Sequence, residues 1–473
     1  MKIIKNYIYN TSYQLLTLII PLITTPYISR VLGSYGVGIN TVTNSTIEYF
    51  VLLGDMGINL YGNRQIAYVR DNISKLSESF WEIEILRILF SLSSYAIFVI
   101  YILLFPKYKE YMIIQSLNIL AVSFDITWFY MGLEDFKKIV VRNIVIKIIS
   151  IILIFSLVKS PTDLAKYIFI MSASTIIGNM TLWPYLKNLI QKVRFTSLKL
   201  VQHIKGTVEL FIPQIAVQLY QVLNRTMLWI MISATVSGFY DRSDVLVRII
   251  VTVVTSLSTV MLPRLANEIH NGNLNAVKSS IYKSFEFITI ISFPMCFGLS
   301  AISLKFAPWF LGKEFNQVGL AIILEAPIII FIGWSTVIGA EFMIPMNMNK
   351  EYIYSVVTGA ICNILFNIPL IYLYGLYGGI VSTSCSEFAV LVYQLWIIRK
   401  KLSLGKLFNN IFVVLISTCV MFIIVFSINH YHPMNALNFL LEILLGILVY
   451  FITLYIIKPK LFTSMKKSIF DNR

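Results

Sequence analysis

Residues 411–428 read IFVVLISTCVMFIIVFSI, a run without a single charged side chain. A bilayer core asks for about 20 apolar residues per helix, and runs of this kind recur from Leu15 to Ile457 almost without pause. Composition agrees: 57% of residues are hydrophobic and 13% charged. Spans are expected near 11–29, 37–58, 83–105, 111–131, 139–158, 165–186, 208–233, 245–263, 284–304, 316–340, 352–374, 376–398, 407–428 and 436–457. The fold class is therefore all-α: a polytopic membrane protein of about 14 transmembrane helices. Its connections are too short to hold a soluble catalytic domain. The run 37–58 is the most polar, with Asn40, Thr41, Thr43, Asn44, Ser45, Thr46, Glu48 and Asp55. One of its faces must look into protein or water.

Lysine and arginine number 38 against 23 acids, an excess that alone would also suit a nucleic-acid binder. Its distribution says otherwise. With Lys2 and Lys5 in the cytoplasm, the loops on that side gather Arg64, Arg70 and Lys75, then Lys137, Lys138 and Arg142, then Lys187 to Lys205, and finally the tail after Lys458. About 26 basic residues fall inside and about 9 outside, as the positive-inside rule requires, with both termini cytoplasmic. No nucleic acid is expected as a partner, and attraction to anionic lipid is secondary to topology. Cys296, Cys362, Cys385 and Cys419 lie in apolar spans without metal spacing, so neither a disulfide nor a metal site is expected. The first span, interrupted by Tyr13, Gln14 and Pro26, reads as a mature helix rather than a signal peptide.

The longest inner connection, 187–206, places Leu189, Ile190, Val193, Leu198, Val201 and Ile204 at helical spacing, with its lysines largely elsewhere. An amphipathic helix lying at the interface is expected there; the plainer alternative is a solvated linker. It divides the chain into an N-lobe (1–186, spans one to six) and a C-lobe (207–401, spans seven to twelve), followed by a helix pair and basic tail (402–473). The lobes carry weak internal echoes: Ile20-Pro21 and Ile212-Pro213, Gly38 and Gly238, Arg64 and Arg264. Interrupted helices at matching positions of a repeat point to a transport site.

A charge deep in a span is expensive and marks function by default. Glu48, Asp55, Asp125, Lys147, Arg225, Glu325 and Glu387 are such charges. Each has a structural reading beside the functional one. Asp125 with Lys147 forms a neutralising pair between spans four and five, and Glu387 bonds a neighbouring helix. Arg87, Glu286 and Glu442 lie near span ends, where snorkelling explains them. Arg225 has no acidic neighbour within a helical turn. Arg30 and Arg242 sit at the outer ends of helices expected to line the same cleft, and three guanidinium groups there suit an anionic substrate. An anchoring role for Arg30 competes with binding. Tyr27 and Tyr220, with Tyr13 and Tyr49, are candidates to stack on sugar rings, or members of an interfacial belt. Pro21, Pro26 and Pro213 weaken their helices, and Gly33, Gly36 and Gly38 would let the following loop move. Together they are the expected gating elements, with a bend near Pro21 to Pro26.

The run Pro26-Tyr27-Ile28-Ser29-Arg30-Val31-Leu32-Gly33, then Tyr35-Gly36-Val37-Gly38, resembles the opening of bacterial polysaccharide flippases of the Wzx type. These belong to the multidrug/oligosaccharidyl-lipid/polysaccharide exporter superfamily. Asp55-Met56-Gly57-Ile58, Tyr61-Gly62-Asn63-Arg64, Met261-Leu262-Pro263-Arg264 and Tyr374-Gly375-Leu376-Tyr377-Gly378-Gly379 continue the likeness over nearly the whole chain. Where that family often carries an acid before Met227, this chain has Asn224 followed by Arg225. The resemblance implies two six-helix lobes around a cavity in a bacterial inner membrane, and alternating access. The implied cargo is an oligosaccharide on undecaprenyl diphosphate. It implies no cofactor, leaves proton or sodium coupling open, and makes membrane lipids, a polysaccharide polymerase and a chain-length regulator candidate partners. A lipid II or multidrug exporter of the same superfamily is the nearest rival. A membrane polymerase or ligase is the rival from another class, but only His430 and His432 in one short outer loop resemble its needs, and no catalytic motif appears.

Overall fold

The computed structural model of the chain describes residues 2–105, 107–194, 196, 198–270 and 274–459; the side chains of 2–18, 188, 212–214, 216, 217, 219, 220, 257–270 and 274 fall outside the description. Among the described residues the secondary structure is helical with no strand, and every expected span falls on helix. Among the described residues eight helices, or nine if one bent pair counts as a span, are long and apolar enough to cross a bilayer. Two compact units divide the chain at residue 238.

The first unit opens with α1 (Lys2–Asp55), which carries both of the first two expected spans. Pro21 and Pro26 lie inside its helical stretch, and the break is at Gly33, with φ 68° and ψ 176°. That corrects the expected bend at the prolines. A helix can absorb a missing donor where neighbours satisfy the carbonyl, whereas this backbone conformation is essentially restricted to glycine. After α1 the chain turns at Gly57 into the short α2 (Ile58–Val69) and the long α3 (Ile73–Leu104). The fourth span is broken into α4 (Lys109–Gln115), α5 (Leu117–Val122) and α6 (Thr127–Gly132). Then follow α7 (Phe136–Leu157), α8 (Leu164–Met180) and α9 (Val201–Met231). α1 packs on α3, α7 and α9, while α2 packs on α3, α6 and α9. Phe80, Trp128, Phe129 and Tyr130, all buried, form the core beneath α2. Gly62 lets the backbone approach that core: a Cβ there would stand 2.8 Å from Trp128 Cδ2 and nearer still to Cε3.

The amphipathic helix expected over 187–206 does not form. A 3-10 turn (Trp183–Asn188) leads into irregular chain at 190–194 and 198–199, and helix resumes at Val201. The reason is local. The backbone N–H of Gln191 donates to Ser77 Oγ (2.8 Å) and that of Lys199 to Glu82 Oε1 (2.6 Å), so the segment satisfies its backbone against α3 instead of against itself.

Helix α10 (Ala234–His270) begins in the first unit and continues into the second. There α11 (Leu274–Leu311) is the central element, packed against α12 (Asn316–Glu325), α13 (Ile328–Thr336) and the C-terminal helices. The α12 and α13 segments are bent by 43°, and a π-helical turn, Val337–Met343, follows. A helical hairpin joins α14 (Asn349–Tyr374) to α15 (Leu376–Ile398) through Gly375 at φ 60°. After the single turn α16 (Leu404–Leu407), α17 (Ile411–Tyr431) and α18 (Ala436–Ile457) form a pair that packs on α11. Lys305 caps α17, its Nζ donating to the carbonyls of Asn429 (2.6 Å) and His430 (2.7 Å). Glu442, expected to snorkel, is instead buried and accepts from Asn429 Nδ2.

Candidate functional site

In the first unit the second arm of α1 meets α9 along a polar seam. Arg225 Nη1 lies 3.9 Å from Glu48 Oε2, with the two side chains 17% and 38% exposed. Glu48 Oε1 accepts from Asn44 Nδ2 at 2.7 Å, and the Tyr49 and Thr226 hydroxyls bond at 3.1 Å. At the far end of the seam the backbones nearly touch. A Cβ on Gly38 would sit 2.6 Å from the Ala234 carbonyl carbon, and one on Gly238 would sit 2.8 Å from Gly38 Cα. The two glycines that echo one another in sequence are thus in contact. The acid that Arg225 lacks within its own helix comes from α1, a pairing that helical spacing along one chain segment cannot reveal.

A second group of charges lies deeper. Arg87, 1% exposed, donates from Nε to the Val122 carbonyl (2.7 Å), from Nη1 to Asn59 Oδ1 (3.2 Å) and from Nη2 to Asp55 Oδ1 (2.8 Å). Asp125 Oδ2 stands 3.6 Å from the same Nη2, and its Oδ1 accepts from the Thr127 backbone N–H and hydroxyl. Two expectations are corrected here. The cation that meets Asp125 is Arg87 of α3 rather than Lys147, which is half-buried on α7. Arg87 also does not snorkel. Its helix begins at Ile73, well before residue 83, so Arg87 lies inside the bundle with its side chain turned to protein. Glu84, one turn earlier and fully buried, joins the same region. Every nitrogen of Arg87 is engaged, so this cluster clamps α1, α3 and the α5–α6 break together.

Below it sits a buried chain that the sequence reading missed altogether. The Tyr61 hydroxyl bonds His203 Nδ1 at 2.6 Å, and His203 Nε2 lies 2.7 Å from Glu82 Oε2. It ties the start of α9 to α2 and α3. The three residues are 142 and 121 positions apart along the chain, so no local motif marks them.

In the second unit Ser243 donates to the fully buried Glu325 at 2.5 Å, and Arg248 Nε donates to Asp244 Oδ1 at 2.6 Å. Arg242 is buried beside Asp241, with Nη2 3.8 Å from Oδ2. Glu387 is buried on α15. Among the arginines expected to share one cleft, Arg30 is exposed and Arg225 half-buried in the first unit, whereas Arg242 belongs to the second. The Tyr27 hydroxyl donates to the Val158 carbonyl (2.7 Å) and its ring packs on Phe155, which gives it a structural role at the end of α7. Gly36 lies against Leu32 of its own helix. The side chains of Tyr220 and Pro213 lie outside the described residues.

The family model described as "Polysaccharide biosynthesis protein" matches residues 3–269. Relatives named "Putative O-antigen transporter" are 22% identical over 84% of this chain and 96% of the protein from Escherichia coli (strain K12), and 24% identical over 79% and 94% for Shigella dysenteriae. The lipid II flippase MurJ of Bacillus subtilis (strain 168) is 27% identical over 33% of this chain and 29% of its own length. Among solved structures, an inward-closed lipid II flippase MurJ superposes with a TM-score of 0.75 at 16% identity, covering 97% of this chain and all of that one. An inward-facing multidrug resistance MATE family transporter of the MOP superfamily gives 0.60 at 13% identity, over 80% and 94%. These two likenesses establish the fold. With its apolar helices and these relatives, the protein is a multi-pass membrane protein of the MurJ- and MATE-like fold. Since the family match covers more than half of its residues, the chain belongs to the polysaccharide biosynthesis protein family.

Proposed function

We propose that this protein is a flippase that carries an oligosaccharide linked to undecaprenyl diphosphate from the cytoplasmic to the outer leaflet of a bacterial inner membrane. It crosses that membrane about 14 times with both termini in the cytoplasm, and supplies repeat units for capsule, O-antigen or exopolysaccharide. Lobes 1–186 and 207–401 exchange access, and the C-terminal pair 402–473 completes the membrane domain. The glycan is not chemically altered, so no catalytic group is required. A polymerase and chain-length regulator would receive it, and protons or sodium would drive the cycle through acids such as Glu325.

One observation carries the reading. The Arg225 side chain is 17% exposed in the polar seam between α1 and α9, with Glu48 at 3.9 Å. A partly exposed guanidinium in a polar seam can receive a diphosphate, whose oxygens match the geometry of the guanidinium fork. Moving a diphosphate-sugar through hydrocarbon uncompensated is prohibitive, whereas a lined polar path replaces its water. Arg30, exposed on the same unit, extends the path, and Gly33 acts as the hinge.

In cells that depend on this protein for surface glycan, Arg225→Ala should cut export at least about tenfold with the protein still abundant in the membrane. Arg225→Lys should restore part of it, since a point charge lacks the fork. Normal export by Arg225→Ala at full abundance would remove the assignment.

A further inference from the structure

A cavity of about 540 Å³ opens on the first unit where the start of α7 meets the end of α8. Three cations, Lys137, Lys138 and Arg142, line it against one carboxylate, Asp135. These charges are held in place. Lys138 Nζ is 3.0 Å from Asp135 Oδ2 and stands over the rings of Tyr130 (5.1 Å) and Tyr185 (5.4 Å). Arg142 Nη1 donates to Asn179 Oδ1 (3.1 Å), and its Nη2 to Asn143 Oδ1 (2.6 Å). Lys137 remains exposed. One helical turn further along, the wall becomes apolar: Val141 and Val145 line the cavity while 45% and 48% exposed. Positions 138, 141, 142 and 145 share a helix face, so the groove is basic at its end and apolar along the helix.

We propose that this groove is a binding site for an anionic phospholipid of the leaflet that meets this end of α7. The phosphate would rest among Lys137, Lys138 and Arg142, and an acyl chain would run over Val141 and Val145. Two features select this occupant. Basic pockets between membrane helices, with charge complementary to a headgroup, are built to hold anionic lipids. The adjoining apolar wall is useful only to a ligand that carries a hydrocarbon chain, which inorganic phosphate does not. Tyr185, which closes the basic end, is the kind of amphipathic ring that sits at headgroup depth.

The test is native mass spectrometry of the full-length protein in detergent with equimolar phosphatidylglycerol and phosphatidylethanolamine. The unaltered protein should retain phosphatidylglycerol preferentially. Lys137→Gln/Arg142→Gln should lower that retention roughly tenfold, while Lys205→Gln, in an exposed lysine elsewhere, should leave it unchanged. Lys137→Glu serves if the double variant folds poorly, because Lys137 is exposed and its reversal should abolish the preference without disturbing the core. Equal retention by Lys137→Glu and the unaltered protein would overturn the proposal, as would an equal loss in Lys205→Gln. Displacement of the lipid by millimolar inorganic phosphate would show a phosphate site without use of the apolar wall. Preferential retention of undecaprenyl phosphate over phosphatidylglycerol would assign the groove to the cargo instead. Either result overturns the phospholipid assignment.

Discussion

Arg87 and Arg225 are the same side chain in opposite situations. Arg87 is 1% exposed and engages the Val122 carbonyl, Asn59 and Asp55, with Asp125 close behind. Removing one partner of such a buried group leaves uncompensated charge and costs about 3–5 kcal/mol. Arg87→Ala should therefore sharply lower the thermal unfolding midpoint in detergent, and adding Asp55→Asn should return part of the loss. Strictly additive losses in that double-mutant cycle would show that the two side chains do not support each other. Arg225, by contrast, is 17% exposed in a polar seam, so its loss is expected in transport rather than folding. From the sequence, both were charges inside or beside apolar runs. Arg225 could be singled out because its own helix offered no acid. Arg87 could not, because its partners come from α1, α2, α5 and the α5–α6 junction, and because a span beginning at residue 83 placed it deceptively near water.

Among the helical elements, glycine positions decide which contacts are rigid. At Gly38 a Cβ would stand 2.6 Å from the Ala234 carbonyl carbon, a backbone atom that cannot swing aside. Gly38→Ala should reduce folded yield in a size-exclusion assay, whereas Gly405→Ala, with nothing within 4 Å, should not; equal yields would mean that α1 and α10 do not pack this closely. Gly33 is held in a conformation that costs other residues about 1–3 kcal/mol. Gly33→Ala should fold and slow export, and unchanged export would remove it as the hinge. The turn before α8 offers a pH test. Lys166 and the backbone N–H of Lys159, with Ser160, hold the Asp163 carboxyl below its ordinary range. A depressed carboxylate stabilises above its unfolded pKa and loses that contribution as pH falls through its folded one. Asp163→Asn should therefore be less stable than the parent at neutral pH, with the gap closing only in strong acid; a gap independent of pH would discard the ion pair. Helix positions were legible because each expected span carried its own run of apolar residues. The 187–200 stretch was misread because its apolar periodicity satisfied a helix template while its backbone found better partners in Ser77 and Glu82.

At the scale of the molecule, the described residues are helical, form two units of nearly equal length and share the fold of the lipid II flippase MurJ. The polar face of the second expected span was readable in advance, since Thr41, Thr43, Ser45 and Thr46 are all buried in protein. Helix α9 packs with α1 and α2 inside the first unit. The direct measurement is translocation in proteoliposomes holding only this protein, loaded on one leaflet with a fluorescent oligosaccharide on undecaprenyl diphosphate. Exposure on the opposite leaflet is read by a membrane-impermeant quencher. The proposed activity predicts quenching that depends on the protein and falls at least about tenfold with Arg225→Ala. No protein-dependent quenching, or equal rates for Arg225→Ala and the parent, would contradict it.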